Sequence, residues 1–246
     1  MKSWLEFWNA PNAIYASNRH RQAYSATVLA GVSRYLPPDS TAVVLDWGCG
    51  EAIAADELAR MCRTLLLFEP AGTTRRRLLA SYASHPKVEV LEEAKLAAIP
   101  PASIDLIVVN SVVQYLNWTQ FVEALHLFDQ LLKRDGRILL GDIVDPDTPL
   151  IRHVAAFMSF AWRNGFLLAG VLSLARNLSS PYRQLRRSAG YASYRVAEML
   201  AVLDENGFVG ERLSSNIAVS QLRSSYLARK REPLAGKPSS ASRAID

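Results

Sequence analysis

Five short apolar runs, at residues 42–45, 64–68, 88–91, 104–110 and 137–143, constrain the fold of this chain more than any other feature. They are rich in Val, Ile and Leu and lack the polar alternation of a half-exposed strand, so they suit parallel strands buried on both faces. The stretches between them have helical spacing, at about 52–61, 73–83 and 119–133. The last of these repeats Phe121, Val122, Leu125, Phe128, Leu131 and Leu132 at the period of one helical face. Such alternation predicts an α/β fold with a doubly wound, mostly parallel sheet and helices on both faces. Strand-like segments at 208–213 and 220–228 bring the count to seven, preceded by a helix over 194–206 that Gly207 stops.

The remaining segments lie outside this pattern. Residues 1–38 are expected to form an N-terminal helical cap, with a helix over 19–35 closed by Pro37 and Pro38, which lack the donor a helix needs. A Rossmann-like core over 39–148 follows. Residues 149–190 are helical, aromatic and basic, and are read as an inserted lid or wall. The core resumes at 191–231, and the Pro, Ser, Ala and Gly-rich stretch 232–246 is expected to be disordered. With 246 residues, half of them hydrophobic, one substantial core with insertions is the simplest organisation.

Charge and cysteine usage narrow the function classes. A net charge of +5, from 28 basic and 23 acidic residues, is mild and gathers at 75–77, 183–187 and 229–231. Solvated faces account for it, while peripheral contact with an anionic membrane stays open. Only Cys49 and Cys62 are present, which argues against a disulfide framework and for a reducing cytoplasm. No secretory signal is visible. The most apolar stretch, 154–175, is broken by Arg163-Asn164-Gly165 and falls short of the roughly 20 residues that span a bilayer. Histidines and carboxylates do not recur at ligand spacing, so no metal site is expected.

The chemistry concentrates where the first strand ends, at Asp46-Trp47-Gly48-Cys49-Gly50. A glycine bend between a strand and a helix lets a ligand press against the backbone. Glu69, 21 residues beyond Gly48 at the end of the next strand, is placed to accept both hydroxyls of an adenosine ribose. A dinucleotide loop would carry a third glycine for close helix packing, where this chain has Ile53. S-adenosylmethionine instead carries a cationic sulfonium, an ammonium and a carboxylate, and Asp46 supplies an acid two residues ahead of the first glycine.

From residue 43 to 142 the sequence resembles the class I S-adenosylmethionine-dependent methyltransferases, whose first motif is a strand ending in Asp-x-Gly-x-Gly-x-Gly, with Ala52 here in place of the third glycine. The resemblance implies a seven-stranded Rossmann-like sheet and S-adenosylmethionine as cofactor. It places Asp46, Trp47, Gly48, Cys49 and Gly50 around the methionyl end, and Glu69 and Pro70 at the ribose. Glu93, with Ala94 beside it, is matched to the adenine contact at the third strand's end, Glu92 being the alternative; Asn110 and Ser111 line the floor below the methyl group. Asp135-Gly136 stands where the family has a Pro-Gly or Gly-Gly turn before its fifth strand.

Methyl transfer from a sulfonium is a direct displacement, so alignment of the acceptor is the main requirement. A base is needed only for a protonated acceptor, and His20, His153 and Tyr15 are the candidates. His20 lies between Arg19 and Arg21, which would favour its neutral form. The cap and the 149–190 insertion are expected to form the acceptor pocket. The insertion's Phe157, Met158, Phe160, Trp162, Phe166, Leu167 and Leu168 would supply an apolar wall. A small, partly apolar acceptor is therefore expected, and nucleic acid is not, because neither an Asn-Pro-Pro-Tyr-like nor a cysteine-based motif is present. The competing readings are an adenosine-cofactor oxidoreductase, which Ile53 disfavours, and a non-catalytic scaffold subunit, which would have no need of Asp46, Gly48, Gly50 and Glu69.

Overall fold

The computed structural model describes residues 3–10, 15–37, 41–177 and 190–232. Five parallel strands, β1 (Val43–Trp47), β2 (Thr64–Phe68), β3 (Val88–Leu91), β4 (Ile104–Asn110) and β5 (Leu132–Ile143), form most of a seven-stranded sheet. With β6 (Phe208–Arg212) and β7 (Ser224–Lys230) the spatial order is β3-β2-β1-β4-β5-β7-β6, and β7 runs antiparallel to both of its neighbours. The chain starts in the middle, winds outward to β3 and returns to place β4 beside β1. This reversal opens a crevice beyond the carboxyl ends of β1 and β4, where ligands bind in sheets of this kind.

Alternate strand residues feed two cores. On one face Leu45, Ile107 and Leu140 pack with Phe121, Leu125 and Phe128 of α6 (Trp118–Leu131) and Met199 and Leu203 of α9 (Val196–Glu205). On the other, Val44, Leu65 and Leu67 meet Val32 of α2 (Asn18–Ser33), Leu58 of α3 (Ala55–Arg60) and Leu78 of α4 (Gly72–Tyr82). Burial on both sides explains why these strands read as unbroken apolar runs.

Several boundaries differ from the sequence expectation for physical reasons. The cap holds an additional helix, α1 (Trp4–Asn9), started by a reciprocal capping box between Ser3 and Glu6. Helix α3 begins three residues later than expected because Ala52 takes φ +45°, which bends the chain before a helix can start. Helix α6, capped by Asn117 and Gln120, stops at Leu131 because Leu132 already pairs with Ile104 in the sheet. Pairing then jumps to Leu106 and Arg137, so Asp135-Gly136 sits in a bulge of β5 and not in a turn ahead of it. β7 starts at Ser224, because Asn216 and Gln221 hold the preceding residues in hydrogen-bonded turns. The short helix α5 (Glu93–Ala97) was not foreseen.

The described part of the insertion, residues 149–177, holds two helices. Helices α7 (Leu150–Arg163) and α8 (Leu167–Asn177) fold back on each other at Gly165, whose φ is +69°. Phe160, Ala161 and Phe166 form a small core of their own with Phe157 and with Ala16 and Ala23 of the cap. The basic stretch 183–187 and the composition-based expectation for 233–246 lie outside the described residues.

Candidate active site

The bend after β1 is shaped by backbone geometry. Gly48 and Gly50 take φ of +78° and +56°, values that residues bearing a Cβ rarely adopt. The Gly48 amide donates to the Phe68 carbonyl at 2.7 Å, tying the bend to the end of β2. A Cβ on Gly48 would lie 2.6 Å from Val112, whereas one on Gly50 would meet nothing within 4 Å. Gly48 is thus required by packing, and Gly50 leaves backbone open to the crevice.

Glu69 locks the other side. Its carboxylate accepts the amide of Gly50 and the amide of Ala71, both at 2.8 Å, one on each oxygen. An ionised carboxylate has about four acceptor positions, so two remain for a ligand. Burial pushes Glu69 up, against the lowering effect of these two amides and of the Arg75 guanidinium. Asp46 is half-buried beside it and is pushed up to about 7, first by burial and then by the charge of Glu69. Cys49 is also pushed up, by burial and by both acids, which leaves its thiol protonated and unreactive. Two neighbouring acids, with Arg75 acting on Glu69 and not on Asp46, favour a positively charged ligand beside Asp46.

The cavity above this bend has a volume of about 1430 Å³, more than the roughly 300–1,000 Å³ of a single small-ligand pocket. Asp46, Trp47, Gly48, Cys49, Gly50, Glu69, Pro70, Glu93, Asn110 and Ser111 all line it, and Ala94 does not. Glu93 lies in the first turn of α5, largely exposed, with one oxygen held by Arg75 at 2.9 Å. The predicted cofactor residues are therefore brought together from β1, β2, β4 and α5, with Ala94 turned away.

Asn110 and Ser111 also belong to a second polar network, whose Tyr24, Asn216 and Arg223 were not singled out from the sequence. The Tyr24 hydroxyl lies 3.1 Å from Ser111 Oγ and accepts from Asn110 Nδ2 at 3.3 Å. Ser111 Oγ donates to Asp142 at 2.7 Å, and Asp142 is bridged by Arg223 and by Asn216. Ser111 and Asp142 take φ of +58° and +64°, a strain that the shared network holds in place. Tyr24, Ser111, Asp142 and Arg223 all face the cavity. Of the residues that join Asn110 and Ser111 here, Asp142 alone gave a sequence signal, by its position at a strand end. Among the described residues, Trp47 Nε1, Asn110 Oδ1 and Gln114 Oε1 are buried without a hydrogen-bond partner, and all three residues line the cavity. Such orphaned groups call for a ligand that donates and accepts hydrogen bonds.

The candidate bases fall differently. His20 lines the cavity, stacked on Phe166 at 4.8 Å, and its Nδ1 accepts the Ala16 amide at 3.1 Å. That bond assigns the neutral ring's proton to Nε2, so the free nitrogen is a donor. Burial, and not the flanking arginines, holds its pKa low; Arg19 reaches the Gly165 carbonyl and Arg21 pairs with Glu51. Tyr15 lines the cavity with its pKa raised by burial and by Tyr24. His153, on α7, is not among the lining residues.

The expected apolar wall is corrected by the structure. None of Phe157, Met158, Phe160, Trp162, Phe166, Leu167 or Leu168 lines the cavity. Phe160 and Phe166 are buried behind α2, while Trp162 and Leu168 face solvent. Aromatics of the cap and the β4 exit take that place. Trp4 and Trp8 pack on Tyr115 with ring centroids 4.7 and 5.3 Å apart.

Residues 45–140 match a family model described as a methyltransferase domain. No curated relative matches the chain. Among solved structures, the chain is similar to magnesium protoporphyrin IX methyltransferase from Synechocystis PCC 6803 with bound S-adenosylhomocysteine, at 16% identity and a TM-score of 0.53, covering 92% of each chain. It is also similar to a SAM-dependent methyltransferase from Leishmania major, at 17% identity and 0.56, covering 92% of this chain and 80% of that one. A third is the 1,6-didemethyltoxoflavin-N1-methyltransferase of Burkholderia thailandensis with bound 1,6-didemethyltoxoflavin and S-adenosylhomocysteine, at 17% identity and 0.51, covering 86% and 78%. At these identities the likeness is one of fold.

Proposed function

We propose, for a chain that has the class I methyltransferase fold and carries a methyltransferase domain over residues 45–140, that the cavity binds S-adenosylmethionine at the β1 bend and passes its methyl group to a small acceptor. The observation that carries this reading is the pair of acids, half-buried Asp46 and buried Glu69, on either side of a glycine bend whose Gly50 faces open space. When bound, the donor supplies an electrophilic methyl group on a cationic sulfur.

The residues fit that group. Asp46 offers negative charge to the cationic methionyl end, and Gly48 and Gly50 let the backbone approach without a Cβ in the way. Glu69, already fixed by two amides, has acceptor positions left for a diol. Trp47 Nε1 and Asn110 Oδ1 gain partners from a polar ligand. Two relatives of the same fold hold S-adenosylhomocysteine, which supports the same choice.

The acceptor lies on the other side of Ser111, bounded by Tyr24, Gln114 and the aromatic group of Trp4, Trp8 and Tyr115. This mixture suits a partly apolar molecule carrying a hydrogen-bond donor for Gln114 Oε1. Tyr24 acts as a positioning residue: Ser111 and Asn110 fix its hydroxyl, and burial keeps it protonated, so it orients the acceptor and does not take its proton.

Calorimetry tests the reading. Micromolar binding of S-adenosylmethionine or S-adenosylhomocysteine, no response to NAD, and loss of binding in Gly48→Arg are expected. Tight NAD binding with none to the methyl donor would overturn it. Tritiated methyl transfer into cell extract, sorted into lipid, small polar and macromolecular fractions, then identifies the acceptor class.

A further inference from the structure

The helical pair α7–α8 does not line the cavity, and its solvent side is unusually apolar. Ile151 and Trp162 are each 72% exposed, Leu168 is 75% exposed, and Leu150, Val171 and Leu172 are exposed as well. On α7 the spacing of Ile151, Ala155 and Trp162 puts them on one stripe, and on α8 Leu168, Leu172 and Ala175 share another. The opposite faces of both helices converge on the Phe160, Ala161 and Phe166 core, so both stripes point away from the protein. Exposed Arg152 and Arg163 border the first stripe and Arg176 the second. From residue 149 to 177 there is no Asp or Glu, and the sequence onward to Gly190 adds Arg183, Arg186 and Arg187 without an acid. Asp147, just ahead of α7, is held by Arg195 at 2.8 Å.

We propose that α7 and α8 form a docking face for an anionic lipid bilayer. The occupant follows from charge complementarity. Three exposed arginines, Arg152, Arg163 and Arg176, with no acid between 149 and 177, match a phosphate-bearing surface. A Trp-containing apolar stripe bordered by arginines has the chemistry of a helix lying at the boundary between headgroups and acyl chains, with long basic side chains reaching back to the phosphates. The face is joined to the cavity: Arg19 donates to the Gly165 carbonyl and His20 stacks on Phe166, and His20 and Tyr24 of the same helix line the site. Docking there would hold the cavity close to a membrane-dissolved acceptor.

The test is sedimentation of the full chain with vesicles of phosphatidylcholine alone and of phosphatidylcholine with phosphatidylglycerol at three to one. Binding to the anionic vesicles is expected to be at least tenfold tighter than to the neutral ones and to weaken as salt rises. Leu168→Gln with Leu172→Gln should lose at least tenfold of it, with melting temperature and donor binding retained. Arg152→Glu with Arg163→Glu should abolish the preference for anionic lipid. Equal binding by wild type and both variants, or no binding to anionic vesicles, overturns the proposal. So does a dimer by light scattering that the Gln variant dissociates, which would assign the face to a second copy of the chain. Donor calorimetry on the same samples separates this outcome from failure of the methyltransferase reading.

Discussion

The two halves of the cavity, proposed to hold donor and acceptor, are built by different means. Around β1 and β2 the geometry is set by backbone: two left-handed glycines, a carbonyl of β2 and the amides of Gly50 and Ala71, all within about one strand-turn-helix unit of the chain. Around Ser111 the geometry is set by side chains far apart in sequence, with Tyr24 and Ser111 separated by 87 residues and Asp142 and Arg223 by 81. The first kind of site is rigid because any change of shape breaks sheet hydrogen bonds. The second can be retuned one side chain at a time, which suits the half of the cavity that must tell one acceptor from another.

This contrast predicts a graded series of effects. Gly48→Arg removes a positive-φ residue and drives a side chain into Val112, so donor binding should fall below detection in calorimetry while the sheet still melts cooperatively. Retained donor affinity would show that the bend is not the donor site. Glu69→Ala leaves the Gly50 and Ala71 amides without their acceptor. At roughly 1.5–3 kcal/mol for a hydrogen bond to a charged group, donor affinity should drop about 10- to 100-fold.

The third prediction concerns pH. Asp46 is held at about 7 against an ordinary value of 3.8, and a cationic donor favours its ionised form. Donor affinity should therefore rise with pH through 7, by roughly tenfold between pH 6 and pH 8. Without donor the sign is opposite. A carboxyl whose folded-state pKa is raised binds more protons when folded, so its ionisation lowers stability as pH climbs from about 4 to 7. The donor-induced rise in melting temperature should be larger at pH 8 than at pH 6, and Asp46→Asn should flatten that difference. The smallest effect is expected from Tyr24→Phe. Removing one hydroxyl from the network should cost about 1 kcal/mol of stability and change acceptor KM several-fold, with donor affinity unchanged. Equal losses in donor and acceptor binding would erase the distinction between the two halves.

The same contrast explains what was legible in the sequence. The strands over 64–68, 88–91 and 104–110 could be read residue for residue, because burial on both faces leaves an unbroken apolar signal. The bend was legible because glycine, acid and strand end are neighbours in the chain. Tyr24 was not, since α2 has little segregation of apolar and polar faces and nothing local says that its hydroxyl meets Ser111. The apolar wall expected from Phe157 to Leu168 failed for a related reason. Composition gives hydrophobicity without direction, and the folding back at Gly165 sends Phe160 and Phe166 inward and Trp162 and Leu168 outward.

The position of β7 has a consequence for biosynthesis. Of the seven strands of this sheet it is the last to leave the ribosome, yet it sits between β5 and β6 and completes the sheet from within. A nascent chain that has emerged only as far as α9 already holds every residue of the glycine bend, while the outer rim of β5 has unpaired amides and carbonyls that can template aggregation. Arg223, at the threshold of β7, reaches Asp142 only after that strand slots in, so the network around Ser111 closes later in synthesis than the bend after β1.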